Sequence, residues 1–320
     1  MCRTLKRVAY SCLLALALAR GGQAGAAAED RPARHPEVKQ AKTVEAPHPA
    51  LFRIVNGKST VYLLGSIHVL PVKFSWRSPA IDQVIGAADV FMFEANLDFA
   101  TAEFHYFLDQ HGYLPRGQTL HQMLSPVALQ QYVALIRDLH IDPNRLDYFR
   151  PGVAVLLLEE TVLGSRGALG PGVDAMLVRY AKAHAKEVDY LETLESHFEL
   201  LTTLGGGDKV TILEKSLASR ENSNEKYRAT LSAWAKGDLA QLNALDDEEP
   251  NQRVLLLDNR NRAWLPRIEA MLNVPKTSLV TVGALHLAGS NNVIDLLCTR
   301  GWKVQRIQTG AAPPPPACRI

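Results

Sequence analysis

Apolar and polar positions alternate along this chain in two rhythms. Short apolar runs of four or five residues end abruptly at Gly or Glu, and between them apolar residues recur at helical spacing. Val61-Tyr62-Leu63-Leu64 and Leu279-Val280-Thr281-Val282 each stop at a glycine and deliver a histidine three residues later, as Gly65-Ser66-Ile67-His68 and Gly283-Ala284-Leu285-His286. Runs of this length, rich in β-branched and large apolar side chains, predict buried strands. Val90-Phe91-Met92-Phe93 predicts another, ending at Glu94, and residues 187–191 read as a short strand ending at Glu192. Open α/β sheets place ligands just past the carboxyl ends of their strands, so each run points its terminal His or Glu at such a position.

The remaining pattern fills in around these strands. Residues 51–55 and 60–64 predict a hairpin about Asn56-Gly57. Residues 79–87 read as a helix, and 101–169 as a helical insertion broken at Gly112, Pro126, Pro143 and Pro151-Gly152. In 173–184 the stripe Val173, Leu177, Tyr180-Ala181 predicts an amphipathic helix. Two or three helices are expected over 208–245, an acidic turn over 246–250, one long helix over 254–272, a helix over 291–300 and a last strand near 303–307. Gly205-Gly206-Gly207 lacks the strand and helix of a nucleotide fingerprint and reads as a loop. The sum is an α/β fold: a central mixed sheet flanked by helices, with the helical insertion capping the site.

Composition changes this picture at the ends. Arg3, Lys6 and Arg7, an apolar stretch over 8–19 and small residues up to Ala28 have the three-part layout of a secretory signal peptide over residues 1–28. An uncleaved anchor is the plain alternative and the one membrane association expected. Residues 29–50 read as a flexible leader, 51–308 as the folded domain, and 309–320 as a Pro-rich tail. The formal charge is +2, but residues 1–28 carry four cations (Arg3, Lys6, Arg7, Arg20) and no acid, so their removal leaves −2. A near-neutral chain without a basic tract is not built for nucleic acid. Beyond residue 28 only Cys298 and Cys318 remain; they could pair in an oxidising compartment but form no metal-finger spacing. A periplasmic or secreted location is expected.

If His68, His286 and one of Glu94 or Glu192 converge, two imidazoles and a carboxylate could hold a divalent transition ion with a position left open. Such an ion would generate hydroxide from bound water near neutral pH, and the remaining Glu could move the proton. Arg260 could hold an oxyanion or a substrate carboxylate. Each residue has a plainer reading too. A single His in a strand-end loop is usually a hydrogen-bonded structural residue, Glu94 could cap a helix or pair with a lysine, and Glu192 could sit in a helix's first turn. Arg260 on an amphipathic helix is by default solvated or salt-bridged. His105, His111, His121, His140, His184 and His197 have no matched partners in the sequence and stay outside this site.

In this order, Leu63-Leu64-Gly65-Ser66-Ile67-His68-Val69-Leu70-Pro71, Phe93-Glu94, Gly172-Val173-Asp174, Leu191-Glu192-Thr193, Asn259-Arg260-Asn261-Arg262-Ala263-Trp264 and Val282-Gly283-Ala284-Leu285-His286-Leu287-Ala288-Gly289 resemble the TraB/GumN family, which includes the Tiki proteins. The likeness runs over about 51–308. It implies an α/β metal-dependent hydrolase fold and, for Tiki-like members, peptidase activity with an ion such as Mn or Co; Zn is a further candidate. It implies His68 and His286 as the paired ligands, Glu94 as ligand or base, and Glu192 and Arg260 as further site residues. Ser66 stands where many relatives have Thr. Nothing resembles a region that recognises Wnt, so that substrate is not carried over. The expectation is an exported, metal-dependent hydrolase acting on a peptide or small polar substrate. A non-catalytic peptide-sequestering protein with the same pocket is the principal rival, and an esterase a weaker one.

Overall fold

The computed structural model describes residues 46–96, 102–142, 146–165, 169–204, 210–218, 223–246, 250–307 and Cys318. The signal layout over 1–28, most of the leader, Gly205-Gly206-Gly207, the middle of the acidic turn and the tail apart from Cys318 lie outside the described residues.

The apolar runs are strands, as their composition requires. Strand β1 (Leu51–Asn56), β2 (Ser59–Ser66), β4 (Val90–Phe93), β6 (Glu187–Tyr190), β7 (Thr277–Gly283) and β8 (Gln305–Ile307) form one six-stranded sheet in the order β6-β4-β7-β2-β1-β8. A separate ribbon pairs β3 (Val69–Pro71) with β5 (Leu169–Pro171). Strands β6, β4, β7 and β2 are parallel, while β1 runs antiparallel to both β2 and β8, so the sheet is mixed as expected. The hairpin turn is one residue later than the Asn-Gly pair suggests. Asn56 pairs with Ser59, and Gly57, at φ +58°, is the first of two loop residues, the place where the primed hairpin turns put a left-handed residue.

The helices are α1 (Pro79–Ala87), α2 (Ala102–His111), α3 (Leu120–Met123), α4 (Pro126–Asp138), α5 (Pro151–Ser165), α6 (Val173–Ala183), α7 (Leu194–Leu204), α8 (Thr211–Ala218), α9 (Ser223–Ala235), α10 (Leu239–Leu245), α11 (Pro250–Arg253), α12 (Asn259–Met271) and α13 (Val293–Thr299). Ser78, Ser125 and Asn292 cap α1, α4 and α13 with their side chains, accepting otherwise orphaned N–H groups.

Both sheet faces are covered. On one, Val61, Leu63, Val280 and Val282 pack with Trp264, Ile268 and Leu297. On the other, Leu64, Phe91 and Leu279 pack with Ile85, Leu177 and Trp234. The insertion has a core of its own, with Phe104, Leu120, Tyr132, Ile136 and Val153 at its centre. That core also takes in Leu194 of α7, the helix that begins two residues after Glu192. The insertion therefore leans on the end of the sheet where the site lies.

Three expectations change. The leader ends earlier than residue 50, because Pro49 and Ala50 are buried and His48 N–H donates to Ala235 O at 2.6 Å. The single helix expected over 254–272 is instead α11, one π-turn over Val254–Asp258, and α12. Val69–Pro71, where the sequence pattern predicts no strand, is one because the segment before α6 supplies it a partner. Cys298 and Cys318 form a disulfide that ties the end of the chain to α13.

Candidate functional site

Register decides which residues meet. Strands β2 and β7 are adjacent and parallel, with Ser66 level with Gly283, so the two Gly-x-x-His segments leave the sheet side by side at its carboxyl edge. Strand β4 lies on the other side of β7 and β6 beyond it, also parallel. Pairing continues past the strand ends: Leu191 N–H donates to Phe93 O at 2.7 Å and Glu192 N–H to Glu94 O at 2.9 Å. Glu192 is thereby held beside Glu94. Four strand ends thus place all the sequence-predicted His and Glu residues along one edge. His68 also lies near enough for its charge to act on Glu94 and His286.

Arg260 closes this edge from α12. Its Nη2 donates to Glu94 Oε2 and to Glu192 Oε1, both at 2.6 Å, and its Nε to Glu192 Oε2 at 3.1 Å. Its Nη1 donates to Leu256 O and to His286 Nε2, both at 3.2 Å. A guanidinium has five N–H donors, and all five are engaged. An oxyanion or substrate carboxylate could reach Arg260 only by displacing one of them, so its place in the fold is that of a hub between two carboxylates. The π-turn immediately before α12 accompanies this contact; such bulges recur at functional sites. The guanidinium also lies over the Trp264 ring, 4.7 Å from its centroid.

His286 sits in a 3₁₀ turn, Ala284–Leu287, not in an open loop, and only 4% of its side chain is exposed. Its Nδ1–H donates to Asn261 Oδ1 at 2.6 Å. Its Nε2 faces an arginine N–H and must therefore carry the lone pair. Burial pushes the ring down to about 4 against the pull of Glu94, so the imidazole is neutral at pH 7.

Burial by itself would raise Glu94. The charges of His286 and Arg260, with Gly283 N–H donating to Oε1 at 2.6 Å, hold it well below the carboxylate range instead. Where His286 is neutral, the charges of Arg260 and His68 and the Gly283 N–H are what hold Glu94 low. Glu192 is likewise lowered against its own burial, by hydrogen bonds from His197 (Nδ1 to Oε1, 2.7 Å) and Arg260. Trp264 Nε1–H completes its shell at 3.2 Å.

His68 is placed differently. Its Nδ1 faces Asp174 Oδ2 at 3.4 Å, and 70% of its side chain is exposed. Asp174 lies in the first turn of α6. The two segments meet because residue 172 is glycine: a Cβ there would lie 2.1 Å from Ile67 O and 2.2 Å from the His68 carbonyl carbon. Val173 N–H donates to Ile67 O at 3.1 Å and fixes the approach. Asp174 raises His68 above the ordinary imidazole value; with most of the ring in solvent, burial takes little back and water screens the lift.

The divalent ion expected at His68, His286 and Glu94 can be tested against this donor set. His286 has the form of a ligand, a neutral ring with its far nitrogen held by a carbonyl oxygen. The rest does not fit. The Nε2 lone pair and Glu94 Oε2 both face the Arg260 guanidinium, and His68 turns Nδ1 to Asp174. Among the described residues no three His, Cys, Asp or Glu are grouped to hold an ion. Two unit charges about 4 Å apart in a partly buried setting interact by roughly 4 kcal/mol, and a dication beside a guanidinium meets twice that in repulsion.

Sequence reasoning missed Asp174, Asn261, Trp264 and His197 as parts of the site. Trp264 stands four residues after Arg260 and Asn261 directly after it, so helical spacing could have suggested the first. His197, five residues from Glu192 across a helix start, gave no signal.

The model of the TraB/PrgY/gumN family matches residues 50–306, a span that contains every site residue from His68 to His286. No curated protein and no solved structure matches the chain.

Proposed function

The chain belongs to the TraB/PrgY/gumN family, and from that premise we propose that it is an exported hydrolase that cleaves peptide-type bonds with water. The observation that carries the reading is the pairing of a solvent-open imidazole, His68, with a carboxylate, Asp174, beside a buried cluster of charged groups. Groups with displaced pKa values gathered at the carboxyl edge of parallel strands are the usual mark of an active site.

In this reading Asp174 pairs electrostatically with His68 on its Nδ1 side and leaves Nε2 as the base. Nε2 takes a proton from water as the water oxygen bonds to the substrate carbonyl carbon. The carbon–nitrogen bond then breaks, and the proton on Nε2 passes to the departing amine. Glu94, Glu192 and Arg260 keep the adjoining surface rigid. No step runs through a metal ion, since the donor set does not fit one. Because Asp174 raises His68, the base form appears at higher pH than for a free imidazole, and the acidic limb of the rate profile lies above 6.5.

Export draws support from the layout of residues 1–28 and from the Cys298–Cys318 disulfide, a bond typical of oxidising compartments. Among the described residues no helix is long and apolar enough to cross a membrane.

The rival reading, peptide capture without cleavage, is favoured by the closed hydrogen-bonding of Arg260, which leaves that cation nothing to offer a transition state. Mass spectrometry of a peptide library incubated with the protein separates the two. New termini that vanish in His68→Ala and fall in Asp174→Asn are the expected result. Peptide retained intact by every form of the protein would establish capture instead.

A further inference from the structure

We propose that Arg260 is the resident cation of this site, standing in the position a divalent ion would otherwise take, so that the folded protein binds no stoichiometric metal there. The inference does not depend on the hydrolase reading, and its test needs no substrate.

Three observations carry it. The guanidinium makes its contacts with the very atoms an ion would use: His286 Nε2, and one or both oxygens of Glu94 and Glu192. A side chain that had merely collapsed onto free ligands would have no other anchor. Arg260 has two, the Leu256 carbonyl at the π-turn and the Trp264 ring, neither of which belongs to the expected ligand set. The neighbouring groups are also set for a hydrogen-bond donor. Asn261 donates Nδ2–H to Asn291 O at 2.9 Å, so its Oδ1 must face His286 Nδ1, and the ring presents a lone pair to the arginine. The same lone pair would suit an ion, and so the arginine and an ion compete for one place.

Elemental analysis of protein purified without a metal column, with calorimetric titration by Mn, Co and Zn, tests this on wild type, Arg260→Met, Arg260→Lys and Arg260→Met/His286→Ala. The wild type and Arg260→Lys, which keep a cation, are expected to hold no stoichiometric ion. Arg260→Met removes the charge, and its affinity for Zn or Co is expected to rise roughly tenfold or more, a gain that the double variant loses. If Arg260→Met fails to fold, Co(II) titration of the isotopically labelled wild type decides alone, and the His286 ring signals are expected to stay unbroadened. One equivalent of metal in the wild type that disappears in His286→Ala would overturn the proposal, as would a folded Arg260→Met that binds no more tightly than wild type. Cleavage of peptides by a metal-free wild type, or its absence, bears on the hydrolase reading and leaves these outcomes untouched.

Discussion

Asn261 Oδ1 lies 2.6 Å from His286 Nδ1, and the amide cannot turn over, because its Nδ2–H already donates to Asn291 O at 2.9 Å. One asparagine thus fixes the proton on the inner nitrogen of the ring and points the lone pair toward Arg260. Asn261→Leu would strand the buried His286 ring N–H, while the exposed Asn291 carbonyl can turn to water. One unpaired buried donor costs about 1–3 kcal/mol, and a matching fall in the urea midpoint is expected. Nitrogen NMR of the His286 ring should show a fixed Nδ1–H tautomer in wild type that becomes mixed in the variant.

The buried His286 makes stability depend on pH. Its folded value, about 4, lies below the ordinary 6.5. Its contribution is therefore fully present above pH 6.5 and lost as pH falls from 6.5 toward 4, up to about 3 kcal/mol. Urea unfolding at pH 7 and pH 5 should show this loss in wild type and much less of it in His286→Gln.

Arg260→Met leaves two carboxylates without their shared cation. Removing one partner from a buried ion pair destabilises by about 3–5 kcal/mol. In wild type Glu94 and Glu192 are lowered from 4.5, so their contribution is present above pH 4.5 and disappears as pH falls below it. The gap between wild type and variant is thus expected to be widest near neutrality and to narrow in acid, as thermal melts across that range would show.

His68 and Asp174 should be separable from the buried half of the site by titration. Proton NMR is expected to show His68 titrating above 6.5 in wild type and returning toward 6.5 in Asp174→Asn, while His286 does not titrate above about 5 in either. A His68 titration unmoved by Asp174→Asn would remove Asp174 from the proposed base.

Gly172→Ala tests how the first histidine is placed. The backbone there, at φ −77° and ψ −173°, suits alanine, so space alone is at issue. A Cβ 2.1 Å from Ile67 O forces a backbone shift, and overpacking of this kind costs about 1–3 kcal/mol or more. Gly170→Ala, whose Cβ would approach nothing closer than 3.6 Å, is the control and should be far milder.

Much of the sheet was legible along the chain because buried parallel strands are nearly continuous apolar runs. Runs ending at Gly65, Glu94 and Gly283 became the buried β2, β4 and β7, and the mixed run ending at Glu192 became the edge strand β6, which is not buried. All four have their terminal residues at one edge. The π-turn left no trace, since one extra residue in a single turn hardly alters an apolar pattern. His197 and Asp174 were illegible as site residues for another reason. Their partners, Glu192 and His68, are reached across a helix start and across the β3–β5 ribbon, and side-chain spacing records neither path.

The sequence by itself determined the strands of the six-stranded sheet, the residues that end them and the family to which the chain belongs. Only the tertiary structure decided what Arg260 faces. Its partners Glu94, Glu192 and His286 lie 166, 68 and 26 residues away along the chain. Hydrogen bonds over such separations follow from strand order and register, which local patterns of apolar residues do not encode.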